Sequence, residues 1–219
     1  MSRSHFSLLI EARSGSGKSY LMALLLSFLH RLKPEKLILI IDPQYEHELP
    51  GYYEYELTPS NYREKLKRLP TVLLRYKRVI LHFDEMNLTD IKKLADVISH
   101  IVYRLGNTIF VMDEAHLVVS KNQPAEYAVL NAVMGRKRGI DTIYISQRPQ
   151  QLATVIRSQT NFKLIGPMDD ETDIKMVGSY LGKYKTFLNT LPERYFFFKD
   201  KTGKIFLTTT EGWKVSHHG

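Results

Sequence analysis

"HFSLLIEARSGSGKSYLMALLLSFLHRLK", residues 5–33, decides how the rest of the chain is read. The apolar run 5–12 suits a buried strand, and the stretch from Gly17 carries helical spacing until Pro34, which cannot continue a helix. Between them, Ala12-Arg13-Ser14-Gly15-Ser16-Gly17-Lys18-Ser19 fits the phosphate-binding loop pattern, with Ala12 where the first glycine usually stands. The chemistry needs those residue types. Gly15 and Gly17 let the backbone curl so that successive N–H groups face an anion. Lys18 is placed to reach the β- and γ-phosphates, and Ser19 to offer its hydroxyl to Mg²⁺. The helix N-terminus adds partial positive charge. A Gly/Ser loop with a surface lysine is the competing reading, but it requires neither the strand before nor the helix after. The segment predicts a nucleoside triphosphate site, with ATP and Mg²⁺ as ligands.

Working outward, "KLILIID" (36–42), "RVILHF" (78–83), "TIFVM" (108–112), "DTIYIS" (141–146) and "FKLIG" (162–166) read as further buried strands. "LTDIKKLADVISHIVYRLG" has helical periodicity, with Gly106 as its C-cap. Residues 43–77 are rich in Tyr, Pro and charge, which predicts irregular structure with one helix around Tyr62–Leu69. Alternation of strand and helix implies right-handed crossovers and a parallel sheet covered on both faces. The tail differs: "ERYFFFKDKTGKIFLTTT" predicts an antiparallel hairpin around Lys201-Thr202-Gly203, spanning about 193–210. No internal repeat or linker interrupts residues 1–219, so one domain is expected.

A hydrolytic site of this kind also needs a strand ending in acid. Two qualify, one ending at Asp84-Glu85 and one at Asp113-Glu114. Local pattern does not separate them. Context favours the second, because Asn87 or Thr89 caps a helix after the first. After Asp113-Glu114 the chain passes through a helix to "YISQRP", a strand ending in a polar residue. In that order Asp113 holds magnesium through water, Glu114 polarises the attacking water, and Gln147 senses the γ-phosphate. His116 either couples nucleotide state to a neighbouring element or packs beside the sheet.

The chain has 219 residues, no cysteine, a net charge of +8 and a pI near 9.5. Absence of cysteine excludes disulfides and thiolate metal sites. The most apolar run, Tyr20–Leu29, is too short to span a bilayer, and the N-terminus lacks a secretory pattern. A cytoplasmic protein is expected. The basic balance permits phosphate neutralisation on nucleic acid.

Together these residues resemble the HerA–FtsK superfamily of DNA-pumping ATPases. "IIDPQYEH" is similar to the family's Asp-Pro-x-Gly-Glu-Tyr segment through Asp42, Pro43 and Glu46, with Tyr45 where that pattern has Gly. "GRKRGIDTIYISQRP" resembles the family's Gly-Arg-Lys-x-Gly segment and its strand ending in Ser/Thr-Gln-Arg-Pro. "LATVIRSQTNFKLIGPMDDETD" resembles the stretch that follows. The resemblance covers roughly residues 5–200. It implies an α/β P-loop NTPase of RecA/FtsK type, with a mainly parallel central sheet flanked by helices and a C-terminal β-hairpin.

It also implies a homo-oligomeric ring, a hexamer, with ATP between subunits and an arginine reaching into the neighbouring site. Arg136 aligns best with that arginine, and Arg148 and Arg157 are the other candidates. Lys121, Lys137 and Arg138 are assigned to DNA contact. The short chain resembles the packaging ATPases of membrane-containing viruses, which points to a double-stranded DNA translocase that loads a viral genome, with capsid or membrane proteins of the virion as partners and the host cytoplasm or the virion as location. The competing expectations are a plasmid or cellular DNA pump, a small-molecule kinase, and a non-motor nucleotide switch. The letters Asp-Glu-Ala-His at 113–116 are not taken as a helicase signature, since 219 residues are expected to leave little room for a second motor lobe.

Overall fold

A computed structural model describes residues 6–122 and 124–213. In chain order the elements are β1 (Ser7–Glu11), α1 (Lys18–Leu32), β2 (Leu37–Asp42), β3 (Tyr53–Leu57), α2 (Tyr62–Tyr76), β4 (Arg78–Phe83), α3 (Leu88–Leu105) and β5 (Thr108–Met112). They continue with α4 (Ala115–Val118), α5 (Glu126–Met134), β6 (Asp141–Ser146), α6 (Thr154–Gln159), β7 (Phe162–Ile165), α7 (Glu171–Leu181), β8 (Tyr195–Lys199) and β9 (Ile205–Thr209). The strands form one sheet in the order β3-β4-β2-β5-β6-β1-β7-β8-β9. β1 to β7 pair in parallel, and β8 and β9 close one end as an antiparallel hairpin. The architecture is therefore α/β, with a mainly parallel sheet, flanking helices and a C-terminal hairpin.

Every residue of β1, β2, β5 and β6 is buried, because helices cover both faces. Side chains alternate across the pleat. Leu8, Ile10, Ile38, Ile40, Val111 and Ile143 pack against Leu21, Met22, Leu25, Leu26 and Leu29 of α1. Leu9, Leu39, Ile41, Phe110, Met112 and Tyr144 form the opposite layer with apolar residues of α2, α3 and α5. A third cluster, around Ile165, Val177, Leu181 and Phe197, seats α7 on the β7–β8 end. Truncating a buried aromatic such as Phe110 to alanine is expected to remove about 3–5 kcal/mol.

The strands expected at 78–83, 108–112 and 141–146 form at those residues. Asn87 caps α3 by accepting from the Asp90 N–H at 3.0 Å. Gly106 closes the same helix at φ +66, where a Cβ would lie 2.7 Å from the Arg138 carbonyl oxygen.

Residues 43–77 correct the expectation of irregular structure. Tyr53–Leu57 forms β3, an edge strand that buries only Tyr55 and Leu57, so it never shows the continuous apolar run of the central strands. The helix expected to end near Leu69 continues to Tyr76 through Pro70. Proline removes one N–H bond, but Leu66, Leu69, Val72 and Leu73 keep packing on the core and carry the helix past it. Among the described residues, no helix is long and apolar enough to cross a membrane.

Candidate active site

The loop 12–19 leaves the C-terminal end of β1 and enters α1. Gly15 and Gly17 hold φ of +73 and +89, the left-handed region that requires glycine here. The Ala12 N–H donates to the Ser146 carbonyl at 3.3 Å and the Arg13 N–H to the Pro167 carbonyl at 2.8 Å. These bonds pin the loop between β6 and the segment after β7. Within the loop the Ser16 hydroxyl donates to the Arg13 carbonyl at 2.7 Å. No side chain caps α1 and its first turn holds no acid, so its leading N–H groups remain available to an anion. Lys18 Nζ donates to that same Arg13 carbonyl at 2.8 Å, folded back over the loop. Burial lowers its pKa, and Glu114, Asp113 and Glu46 pull the other way. Ser14 and Ser19 are exposed.

β5 lies two strands from β1, with β6 between them. At the usual strand spacing that is about 10 Å, whereas β4 lies four strands away, about 19 Å. The sheet thus brings Asp113 and Glu114 to the phosphate loop and carries Asp84 and Glu85 away from it. Glu114 adopts φ +43, a left-handed conformation that a non-glycine residue holds only when its surroundings impose it. Gln147, at the end of β6, donates from Nε2 to Glu114 Oε1 at 2.5 Å. Burial, reinforced by Asp113, raises the Glu114 carboxyl to about 7. Its Oε2 is buried without a hydrogen-bond partner, although His116 Nδ1 lies 3.1 Å away. Burial and then Arg148 push His116 down to about 4, so it sits behind Glu114 as a neutral ring, 3.2 Å from the Ser146 hydroxyl.

Asp113 is held from two sides. Its Oδ1 accepts the Glu114 N–H at 2.9 Å, and its Oδ2 lies 2.5 Å from His47 Nε2. The His47 N–H donates to Asp42 Oδ2 at 2.9 Å. Asp42, His47 and Asp113 are grouped closely enough to hold an ion. Burial works against charge on His47, but its bond to Asp113 and the fields of Asp42 and Glu46 prevail and raise its pKa. The His47 ring, its charged form favoured, lies against Asp113 and close to Asp42. The donors suited to Mg²⁺ are therefore oxygens: the Ser19 hydroxyl, and Asp113 accepting from a metal-bound water through its remaining lone pairs.

Tyr45, which stands where the resembling pattern has glycine, adopts φ +57. The position does demand a left-handed backbone, and here the tyrosine ring stacks on His82 with centroids 4.0 Å apart. That contact holds a conformation costing roughly 1–2 kcal/mol.

The expected arginines part company. Arg136, Lys137 and Arg138 form an exposed 3₁₀ turn just before β6. They stand at the sheet edge opposite the loop, about 20 Å away along a six-residue strand. Arg148 sits at the rim of the loop, 3.8 Å from Asp170 and Asp173. Arg13, Ser14, Gln147 and Arg148 line one cavity there with Asp170 and Asp173. Arg157 does not fit the role of reaching outward. It is buried and donates to the Pro149 and Leu152 carbonyls and to Thr154 Oγ1, so its guanidinium ties down the 149–154 segment. Lys121 is exposed on the loop after α4, its N–H bonded to the Gln151 carbonyl. It does not share an edge with Lys137 and Arg138.

Sequence reasoning passed over His47 and Arg194. His47 meets Asp113 across 66 positions of chain, which no local pattern records. Arg194 meets the loop through the hairpin, where its backbone N–H donates to the Ser16 carbonyl at 3.0 Å.

Comparison with known proteins bears on family and fold. The family model described as "Helicase HerA, central domain" matches residues 2–181. A probable helicase of Methanocaldococcus jannaschii, MJECL08, is 33% identical over 90 residues, 40% of this chain and 17% of that protein. The chain thus spans under a fifth of that curated relative. Among solved structures, the genome packaging NTPase B204 of Sulfolobus turreted icosahedral virus 2, bound to ATP-gammaS, superposes with a TM-score of 0.71 at 18% identity, covering 95% of this chain and 98% of that one. The pCW3 conjugation coupling protein TcpA, with ATPgS, gives a TM-score of 0.54 at 16% identity over 94% of this chain and 60% of that one. At such identities the structural likeness is one of fold.

Proposed function

We propose what this chain does from one premise: it belongs to the family of the helicase HerA central domain. It hydrolyses ATP to ADP and phosphate at the 12–19 loop and uses the cycle to move double-stranded DNA. It works as one subunit of a homo-oligomeric ring, six by family resemblance, and serves as a genome-packaging motor beside capsid or membrane proteins of a virion. Its place is the host cytoplasm or the virion. The observation that carries this reading is the Gln147–Glu114 pair, on the first and second strands from β1 at the C-terminal end of the sheet, where the phosphate loop also lies.

The chemistry follows from those positions. The triphosphate lies along the loop N–H groups, and Lys18 leaves the Arg13 carbonyl for the β- and γ-phosphates. Glu114, lifted to about 7, is suited to take a proton from water near neutrality. The water oxygen bonds to the γ-phosphorus as the bridging bond to the β-phosphate breaks, while Gln147 orients Glu114. Ser19 and, through a water, Asp113 would hold Mg²⁺, which would supply charge neutralisation on the phosphate oxygens. Arg136, too far from its own loop, acts on a neighbour's site, an effect on the order of 10³–10⁵ in rate. Arg148 steadies the rim of its own site. DNA is held mainly through phosphates, without sequence preference, by groups such as Lys121, Lys137 and Arg138.

Packaging is put before other DNA pumping because the viral packaging NTPase superposes with a TM-score of 0.71, against 0.54 for TcpA. The deciding measurement is ATP turnover with and without duplex DNA, alongside the mass in solution. Stimulation by DNA together with ring assembly is expected. One unchanged rate and a persistent monomer would overturn the translocase reading.

A further inference from the structure

Two side chains beside the phosphate loop have no part in the chemistry above. Arg194 precedes β8, exposed, at φ +67, a conformation glycine takes freely and arginine does not. Its backbone is clamped at both ends: its N–H donates to the Ser16 carbonyl, and its carbonyl accepts from the Thr210 N–H, each at 3.0 Å. Its stem lies so close that a Cβ on Gly17 would come within 3.2 Å of Arg194 Cγ. The guanidinium rests 5.9 Å from the centroid of the Tyr20 ring. Tyr20 follows Ser19 on α1 and is 47% exposed. This cation stands near the positive end of a helix, against Gly17, where an unliganded charge gains nothing.

The sheet order gives direction. Glu114 and Gln147 lie on the β5–β6 flank of β1, whereas Arg194 belongs to the β7–β8 flank. A triphosphate whose γ end faces Glu114 turns its nucleoside towards Arg194 and Tyr20. Resting on the nucleotide reading above, we propose that Tyr20 and Arg194 form the seat of the nucleoside, with a purine base stacked on the tyrosine ring beneath the guanidinium. A guanidinium has donors and no acceptor. Lying over the face of the base it reads no edge atom, so the seat selects a large purine ring over base identity.

The test compares binding of ATP, GTP and inorganic tripolyphosphate, which has phosphates and no base, by calorimetry. Arg194→Gly suits the φ of that position, and Tyr20→Ala alters an exposed side chain. Each is expected to weaken ATP and GTP about 10-fold, the scale of lost stacking and cation–π contact, with tripolyphosphate unchanged within about twofold. Tyr20→Phe keeps the ring and should bind ATP as the parent chain does. Equal loss of tripolyphosphate binding, or no loss of ATP binding, overturns the seat. A parent chain that binds neither ATP nor tripolyphosphate overturns the nucleotide reading itself.

Discussion

Replacing Glu114 with glutamine separates what this residue does for chemistry from what its charge does to the fold. The amide keeps the shape and can still accept from Gln147 through its carbonyl oxygen. It cannot take a proton from water, so turnover is expected to fall at least about 10²-fold with ATP binding retained. Stability is expected to move the other way. The folded chain keeps the Glu114 proton up to about pH 7, whereas the unfolded chain releases it near 4.5. Between those values the folded state binds more protons, so the contribution of Glu114 to stability falls as pH rises and is flat above pH 7. The two values differ enough to set a ceiling of about 3 kcal/mol. That difference already includes the attraction to Lys18, so a net gain below the ceiling, about 1–2 kcal/mol at pH 8, is the reasonable expectation. Urea unfolding without nucleotide or magnesium, at pH 5 and pH 8, reads it directly. The variant should match the parent at pH 5 and exceed it at pH 8. No gain at pH 8 would refute burial as the cause of the raised carboxyl. Normal turnover, with loss in Glu85→Gln instead, would move the chemistry to β4.

Three further outcomes are expected. His47→Ala removes the partner that orients Asp113 and should raise the magnesium needed for half-maximal turnover by about 10-fold or more; an unchanged magnesium titration would leave His47 a packing residue. Arg136→Ala and Glu114→Gln should each be inactive alone, yet mixing them should restore turnover at interfaces that pair a sound Glu114 with a sound Arg136. Normal turnover of Arg136→Ala alone, or no recovery in the mixture, would remove Arg136 from any neighbour's site. Gly106→Ala should destabilise by roughly 2 kcal/mol or more, since a left-handed φ and a carbonyl 2.7 Å from the new methyl act together; an unchanged urea midpoint would contradict that contact.

The elements legible in the chain were those whose cause is local. The phosphate loop needs a curl of consecutive N–H groups between a strand and a helix, and eight adjacent residues encode it completely. β4, β5 and β6 announced themselves because burial on both faces forces unbroken apolar runs. β3 stayed hidden because an edge strand alternates, and α2 was cut short because Pro70 marks the end of most helices but not of one whose leucines continue to find the core.

Local pattern did not separate the two like-looking acidic strands, and the sheet order adds that β5 lies two strands from β1 and β4 four. Motif order had favoured Asp113 and Glu114 for a different reason, the polar strand end that follows them. The fates of the arginines, the grip of His47 on Asp113 and the approach of Arg194 to Ser16 were beyond any local pattern. Each depends on which strand lies beside which, and that is set by packing of the whole sheet. Sequence determined what the loop can bind, because backbone curvature is a short-range property. Tertiary structure alone decided which distant side chains surround it, because strand order brings together residues that the chain keeps far apart.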